Sequence, residues 1–218
     1  MKELDFDILV NKNNPLPFNY EPNDLVPTDN NENNFHGYSD PNLKPTVSSK
    51  IYVPYINMKE EAKRDNIFLT IDSGYRSASF QLGVYRRILR EAVIESLKKH
   101  PELNEEVFNS TFDRIYSLVA MPGCSEHQTG YAFDVASLRT GYYRADTTPE
   151  ERAWLNENAY RYGFILRYPK GKEDITGFGY EPWHYRYVGT DISKELYNNG
   201  NWITLEEYHN DLKLTRKI

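Results

Sequence analysis

Apolar positions recur at helical spacing along SASFQLGVYRRILREAVIESLKKH, at Phe80, Val84, Ile88, Ala92 and Val93. That period predicts an amphipathic helix of roughly 20 residues, with a basic end where the helix dipole favours cations. Just before it, FLTID alternates apolar and polar side chains and predicts a short strand, closed by Gly74. Upstream, Asn57 and Glu60 have the spacing of a capping box and predict a short helix over 58–66. A further helix is expected across 102–117. Thr148-Pro149-Glu150-Glu151 combines a cap, a first-turn proline and the acid that completes the box. The helix it opens should run to about Tyr162, with Gly163 as its stop. GFILRYP and YEPWHYRYVG read as strands, and Thr204 with Glu207 opens a last helix over 205–214.

Helices and strands mix without a regular βαβ alternation, and no internal repeat is present. The predicted architecture is α+β, a single domain with a small, mostly antiparallel sheet flanked by helices. Residues 11–50 are rich in Asn, Pro and Asp and predict an irregular arm wrapped on the core, with disorder as the alternative for 28–36. The division expected is an N-terminal arm, 1–50, packed on a main domain, 51–218.

Composition removes some classes of function. The net charge of −6 argues against nucleic acid as the main partner, while leaving room for a locally basic cleft. The 18 tyrosines read mostly as half-buried packing. Cys124 is the only cysteine, so no intrachain disulfide can form. No stretch has the roughly 18 apolar residues a membrane span needs. The opening MKELDFDILVNKNNPLPFNY is interrupted by Asp5 and Asp7 and lacks the features of a signal peptide. The expectation is a cytoplasmic protein if Met1 is the native start, and otherwise an extracytoplasmic one whose leader was removed.

The chemistry concentrates in PGCSEHQTGYAFDVAS, residues 122–137, and in YEPWHYRYVG. His36, His100 and His209 sit in an Asn-rich arm or on solvent-facing helices and read as surface residues. His127 and Asp134 are separated by Gly130, which allows a turn into a strand at YAFDV. There Ala132 and Asp134 share one face, and Tyr131, Phe133 and Val135 the other. An acid among apolar neighbours needs a partner, either a metal ion or an arginine. His184 and Arg186 share a strand face as well. Two histidines and one aspartate make a three-ligand set, which leaves the fourth position of a zinc ion open in the catalytic manner. Glu181 then becomes the natural base for a water there. Strict alternation would turn Glu181 away from His184, but Pro182 allows a local departure.

Together, SGYRS, SEHQTGYAFD and EPWHYRYVG resemble the zinc D-alanyl-D-alanine carboxypeptidases and dipeptidases of the VanY, VanX and VanXY type. The pattern S-x-H-x6-D followed by E-x-W-H is filled at every position, and the likeness runs from about residue 9 to about 210. The resemblance implies one Zn2+ per chain on His127, Asp134 and His184, with Glu181 as general base and acid. It implies that Arg76 meets the developing oxyanion, and that Ser125 and Gln81 contact substrate. It makes 51–218 a zinc D,D-peptidase domain acting on D-Ala-D-Ala or on peptidoglycan stem peptides, in the cell-wall chemistry tied to antibiotic resistance. An L,D-carboxypeptidase of tetrapeptide stems and a non-catalytic peptidoglycan-binding module are the alternatives; an intact Glu181 and an open metal position favour the enzyme.

Among the remaining groups, Cys124 reads as a small buried side chain, because no second histidine is placed to activate it. Glu126 reads as a solvated or structural acid. The segment from Leu138 to Thr148, with Gly141 and two adjacent tyrosines, is a candidate specificity loop.

Overall fold

A computed structural model describes residues 4–28, 44–102, 104–138 and 147–215 of the chain. Most of the candidate specificity loop (139–146), His36 and most of the segment expected to be disordered lie outside the described residues.

The N-terminal segment forms strand β1 (Leu25–Pro27), which pairs antiparallel with β2 (Thr46–Ser48). The arm is therefore less irregular than its composition suggests. Val10, Leu16 and Tyr20 are buried together, and the Leu16 amide donates to the Gly123 carbonyl at 2.8 Å. Helix α1 (Ser49–Arg64) replaces the helix expected over 58–66. Its cap is Ser48, whose hydroxyl accepts from the Lys50 amide at 3.3 Å. Ile51, Tyr55, Met58 and Ala62 form its buried stripe. That continuous stripe carries the helix through Pro54 and leaves Asn57 and Glu60 in its interior, where no box is needed.

Strand β3 (Leu69–Ser73) leads through Arg76 into α2 (Ala78–Lys99), capped by Ser77. Helix α3 (Glu105–Leu118) packs on α2 through Val84, Ala92, Ile115 and Val119. A short 3-10 turn, Glu126–Thr129, then delivers the chain into β4 (Ala132–Ser137). Helix α4 (Pro149–Asn158) carries the expected reciprocal box between Thr148 and Glu151. Its continuation to Tyr162 is 3-10, ended by Gly163 at φ 88°.

The last strands are shorter than their aromatic runs suggested: β5 is Phe164–Leu166, and beyond the small α5 (Glu173–Thr176), β6 is His184–Tyr187. Proline and glycine at Pro169, Gly171, Gly177 and Pro182 turn the flanking residues out of the ladder. Helices α6 (Thr190–Leu196) and α7 (Leu205–Thr215) complete the described chain, α7 opening on the Thr204–Glu207 box.

Four strands form one antiparallel sheet in the order β3-β4-β6-β5. Phe133 and Val135 of β4 turn toward α1, α4 and the C-terminal helices, where the main core closes. Burial of large apolar side chains there contributes roughly 1.5–3 kcal/mol each. Ala132 and Asp134 occupy the other face, which the 3-10 turn and the N-terminal arm cover.

Candidate active site

Register brings the site together. Asp134 on β4 is the direct partner of His184 on β6, and Ser73 on β3 is its partner on the other side. The sequence separation of 50 between Asp134 and His184 thus collapses to a hydrogen bond, His184 Nδ1 lying 3.1 Å from Asp134 Oδ1. Gly130, at φ 74°, lets the 3-10 turn reverse so that His127 reaches the same point. His127 Nδ1 lies 2.7 Å from the Gly74 carbonyl, so that nitrogen is the donor and Nε2 is left bare. His127 Nε2 stands 3.3 Å from Asp134 Oδ1.

Glu181 is held by the turn before β6. Its amide donates to the Tyr168 carbonyl, and its own carbonyl accepts from the His184 amide, each at 3.2 Å. That turn is the departure from alternation that Pro182 allowed: the carboxylate lies 3.7 Å from His184 Nδ1. Arg76 donates through Nη2 to Asp134 Oδ2 at 3.3 Å and through Nη1 to Gln81 Oε1 at 3.1 Å. The arginine, one of the two partners anticipated for Asp134, is therefore present beside the two imidazoles. Gln81 is 2 % exposed, and its Nε2 donates to the Ala120 carbonyl. Its amide thus braces Arg76 while its side chain also lines the cleft. Ser125, His127, Glu181, His184 and Arg76 line that same cleft, together with Tyr168 and Phe178.

Electrostatics follow from burial among charges. Burial, then the Arg76 guanidinium, push His127 down to about 4, so the ring is neutral and able to ligate. Burial also opposes charge on His184, but the Asp134 and Glu126 carboxylates beside it outweigh burial and raise this group to about 9. Burial resists ionisation of Asp134 too; the two imidazoles override it and hold the carboxyl far below the usual range. For Glu181 burial prevails over the opposing pull of His184, Arg76 and Arg167 and lifts it to about 7, the range of a group that exchanges protons at neutral pH.

A metal ion fits these residues. His127, Asp134 and His184 each offer a donor atom, all within 4.8 Å of one another, and all three side chains are buried. His127 Nε2 has no hydrogen-bond partner among the described residues, an unpaired buried nitrogen that a cation would satisfy. Two imidazoles and a carboxylate are also the donor types of a catalytic zinc site.

Several functional groups were not legible as such. Glu126 is fully buried, not solvated, and takes Arg167 Nε at 2.8 Å and Arg186 Nη1 at 2.9 Å. Arg167 is forked onto Glu206 by bonds of 2.9 and 2.7 Å. The one available signal was Arg186, two residues past His184 on the same strand face. Tyr168, whose ring centre lies 5.0 Å from that of His184, carried no signal. His209, expected at the surface, is half-buried against the Asp7 carbonyl. His100 is exposed, as expected, and Cys124 is buried.

A cleft that gathers a buried His-Asp-His donor set, a carboxylate poised near neutrality and a fixed guanidinium defines a metal-dependent hydrolase. The family model for VanY, D-alanyl-D-alanine carboxypeptidase, matches residues 44–190, and the chain belongs to that family. It is 36% identical over 208 residues to a D-alanyl-D-alanine carboxypeptidase of Enterococcus faecalis, covering 94% of this chain and 66% of that protein. The chain thus spans about two thirds of that relative's length. A solved variant of the vancomycin-resistance D,D-pentapeptidase VanY from a VanB-type cassette, in complex with Zn(II), superposes with a TM-score of 0.72 at 31% identity. That match covers 94% of this chain and 98% of the other. The LD-carboxypeptidase LdcB superposes with a TM-score of 0.68 at 35% identity, covering 93% and 84%.

Proposed function

We propose that this chain is a zinc carboxypeptidase that removes the C-terminal D-Ala from peptidoglycan precursor peptides ending in D-Ala-D-Ala. The observation that carries the reading is the convergence of His127, Asp134 and His184 on one point, with His127 Nε2 otherwise unpaired and Glu181 beside it. One zinc per chain on those three side chains would supply Lewis acidity and water of lowered pKa. Glu181 takes the proton from the attacking water and passes it to the leaving amine of D-Ala. Arg76, held by Asp134 and Gln81, presents its guanidinium where negative charge grows on the scissile carbonyl oxygen. Ser125, at the cleft wall, contacts the peptide. Tyr168 and Phe178 keep bulk water from the reacting bond.

The likeness to LdcB supports a second reading, an L,D-carboxypeptidase of tetrapeptide stems. Both readings share the metal, Glu181 and Arg76; they differ in the residue accepted before the terminal D-Ala. The test is release of D-Ala from a pentapeptide ending in D-Ala-D-Ala, from a tetrapeptide with an L-residue at that position, and from free D-Ala-D-Ala, each with and without chelator. The proposal expects the pentapeptide to have the highest kcat/KM and chelator to abolish turnover. Preference for the tetrapeptide would establish the second reading, and chelator-insensitive turnover would overturn both.

A further inference from the structure

Beside His184, at the buried floor of the cleft, stands the Glu126 carboxylate. Its two oxygens are used differently. Oε1 accepts from Arg167 Nε and Arg186 Nη1. Oε2 has no hydrogen-bond partner among the described residues, and neither has His184 Nε2. These two buried orphans face each other at 3.7 Å. Unpaired buried polar atoms are rare, and here a small approach closes both into one hydrogen bond.

We propose that Glu126 is a positioning residue that fixes the tautomer and orientation of His184. Resting on the metal reading above, it assigns this carboxylate the task of keeping His184 Nδ1 available to the ion. An imidazole that donates its Nε2–H to Glu126 has a bare Nδ1 to offer an ion; without one, Nδ1 carries the proton donated to Asp134 Oδ1. His127 is arranged in mirror fashion, its Nδ1 spent on the Gly74 carbonyl and its Nε2 turned to the same point. Each ring therefore has one nitrogen tied to an acceptor and the other free for metal.

The carboxylate is held so that it cannot turn away. Arg186 follows His184 by two residues on the same strand, and the Arg167 amide donates to the His184 carbonyl at 3.2 Å. Arg186 Nη2 donates to the Phe6 and Ile8 carbonyls at 2.9 Å, and Arg167 is forked onto Glu206. Rotation of Glu126 would take the acceptor from Arg167 Nε and Arg186 Nη1, both on fully buried guanidiniums, which is strongly disfavoured.

The same geometry makes Glu126→Gln diagnostic. The amide oxygen must stay on the two guanidiniums, because an NH2 there would meet only donors. The NH2 group is then presented to His184 Nε2, which must become the acceptor and drive its proton to Nδ1. That is the wrong tautomer for ligation. Competition with a chromophoric zinc chelator reads the effect directly, and a loss of 10–100-fold in zinc affinity is expected, the range for a lost partner of a metal ligand. Glu206→Gln disturbs the same buried charges without touching His184 and is expected to bind zinc like the wild type. Equal zinc affinity in E126Q and wild type, or an equal loss in E126Q and E206Q, would overturn the assignment. Should E126Q not fold, the zinc-loaded wild type decides: nitrogen-15 histidine spectra are expected to show His184 protonated at Nε2, and a bare or metal-bound Nε2 would overturn it. A wild type that binds no zinc would sink the metal reading and this proposal with it, whereas zinc binding unchanged by E126Q would sink the proposal alone.

Discussion

Gly74→Ala is the most revealing single change, because one methyl group strikes both the fold and the metal site. A Cβ at Gly74 would stand 2.2 Å from the Thr46 carbonyl oxygen. Opening that contact to an ordinary 3.4 Å requires a shift of about 1.2 Å. Neither side yields easily. Thr46 belongs to β2 and its oxygen already accepts from the Tyr75 amide, while the Gly74 carbonyl holds His127 Nδ1. Overpacking of this kind costs about 1–3 kcal/mol, and a backbone obstacle puts the expectation at the upper end. For a chain of this size each kcal/mol moves Tm by roughly 2–4 °C, so a drop of about 6–12 °C is expected at the upper end. Displacing the carbonyl also frees the His127 ring, and zinc affinity should fall by about 10–100-fold. Thermal melts of the metal-free protein and chelator competition of the loaded protein measure the two effects separately. Wild-type values in both would refute the close approach of β2 to this turn. A lowered Tm with unchanged zinc affinity would refute the role of the Gly74 carbonyl.

Three further outcomes are expected. Glu181→Gln should retain zinc and Tm while kcat falls by about 10²–10⁴-fold, and a kcat within tenfold of wild type would remove Glu181 from the proton path. Arg76→Ala should lower kcat by about 10²–10³-fold; a variant that loses stability but turns over normally once folded would make Arg76 a structural partner of Asp134. In acid, Glu126 should report on stability: its folded-state pKa lies below that of the unfolded chain, so its contribution is complete above about pH 4.3 and is lost as pH falls toward the folded value. Tm of the metal-free wild type should therefore fall more steeply below pH 4 than that of Glu126→Gln, and parallel curves would contradict the arginine pairing.

What could be read in advance was local. Caps at Thr148 and Thr204, the amphipathic stripe of α2 and the αL stop at Gly163 are written within a few residues of where they act. The grouping of His127, Asp134 and His184 was also legible, through the family pattern S-x-H-x6-D with E-x-W-H rather than through either spacing alone. The start of α1 was missed because a plausible box at Asn57 and Glu60 argued for a later beginning, and long-range burial of Ile51 and Tyr55 outweighed it. The lengths of β5 and β6 were overestimated because aromatic residues serve cleft walls as readily as strands. The charge network escaped because Glu126, Arg167, Arg186 and Glu206 lie far apart in the chain, and charged residues read singly suggest solvent. Only strand register and the docking of α7 show that they neutralise one another.

The pairing of Asp134 with His184 as opposite rungs of one ladder makes the sheet a ruler for the ligand set. Distance between the two ligands depends on β4 and β6 alone, and not on the length of chain that joins them. Insertions or deletions between Ser137 and Phe164 can therefore remodel whatever surrounds the cleft mouth while the donor spacing stays constant. A single residue added within 132–134 or 184–187 does the reverse, turning an aspartate or a histidine through the sheet to its opposite side. Natural variation in this enzyme should accordingly be permissive in its connections and intolerant in six or seven rungs, so that substrate range can drift across homologues without the hydrolytic centre being rebuilt.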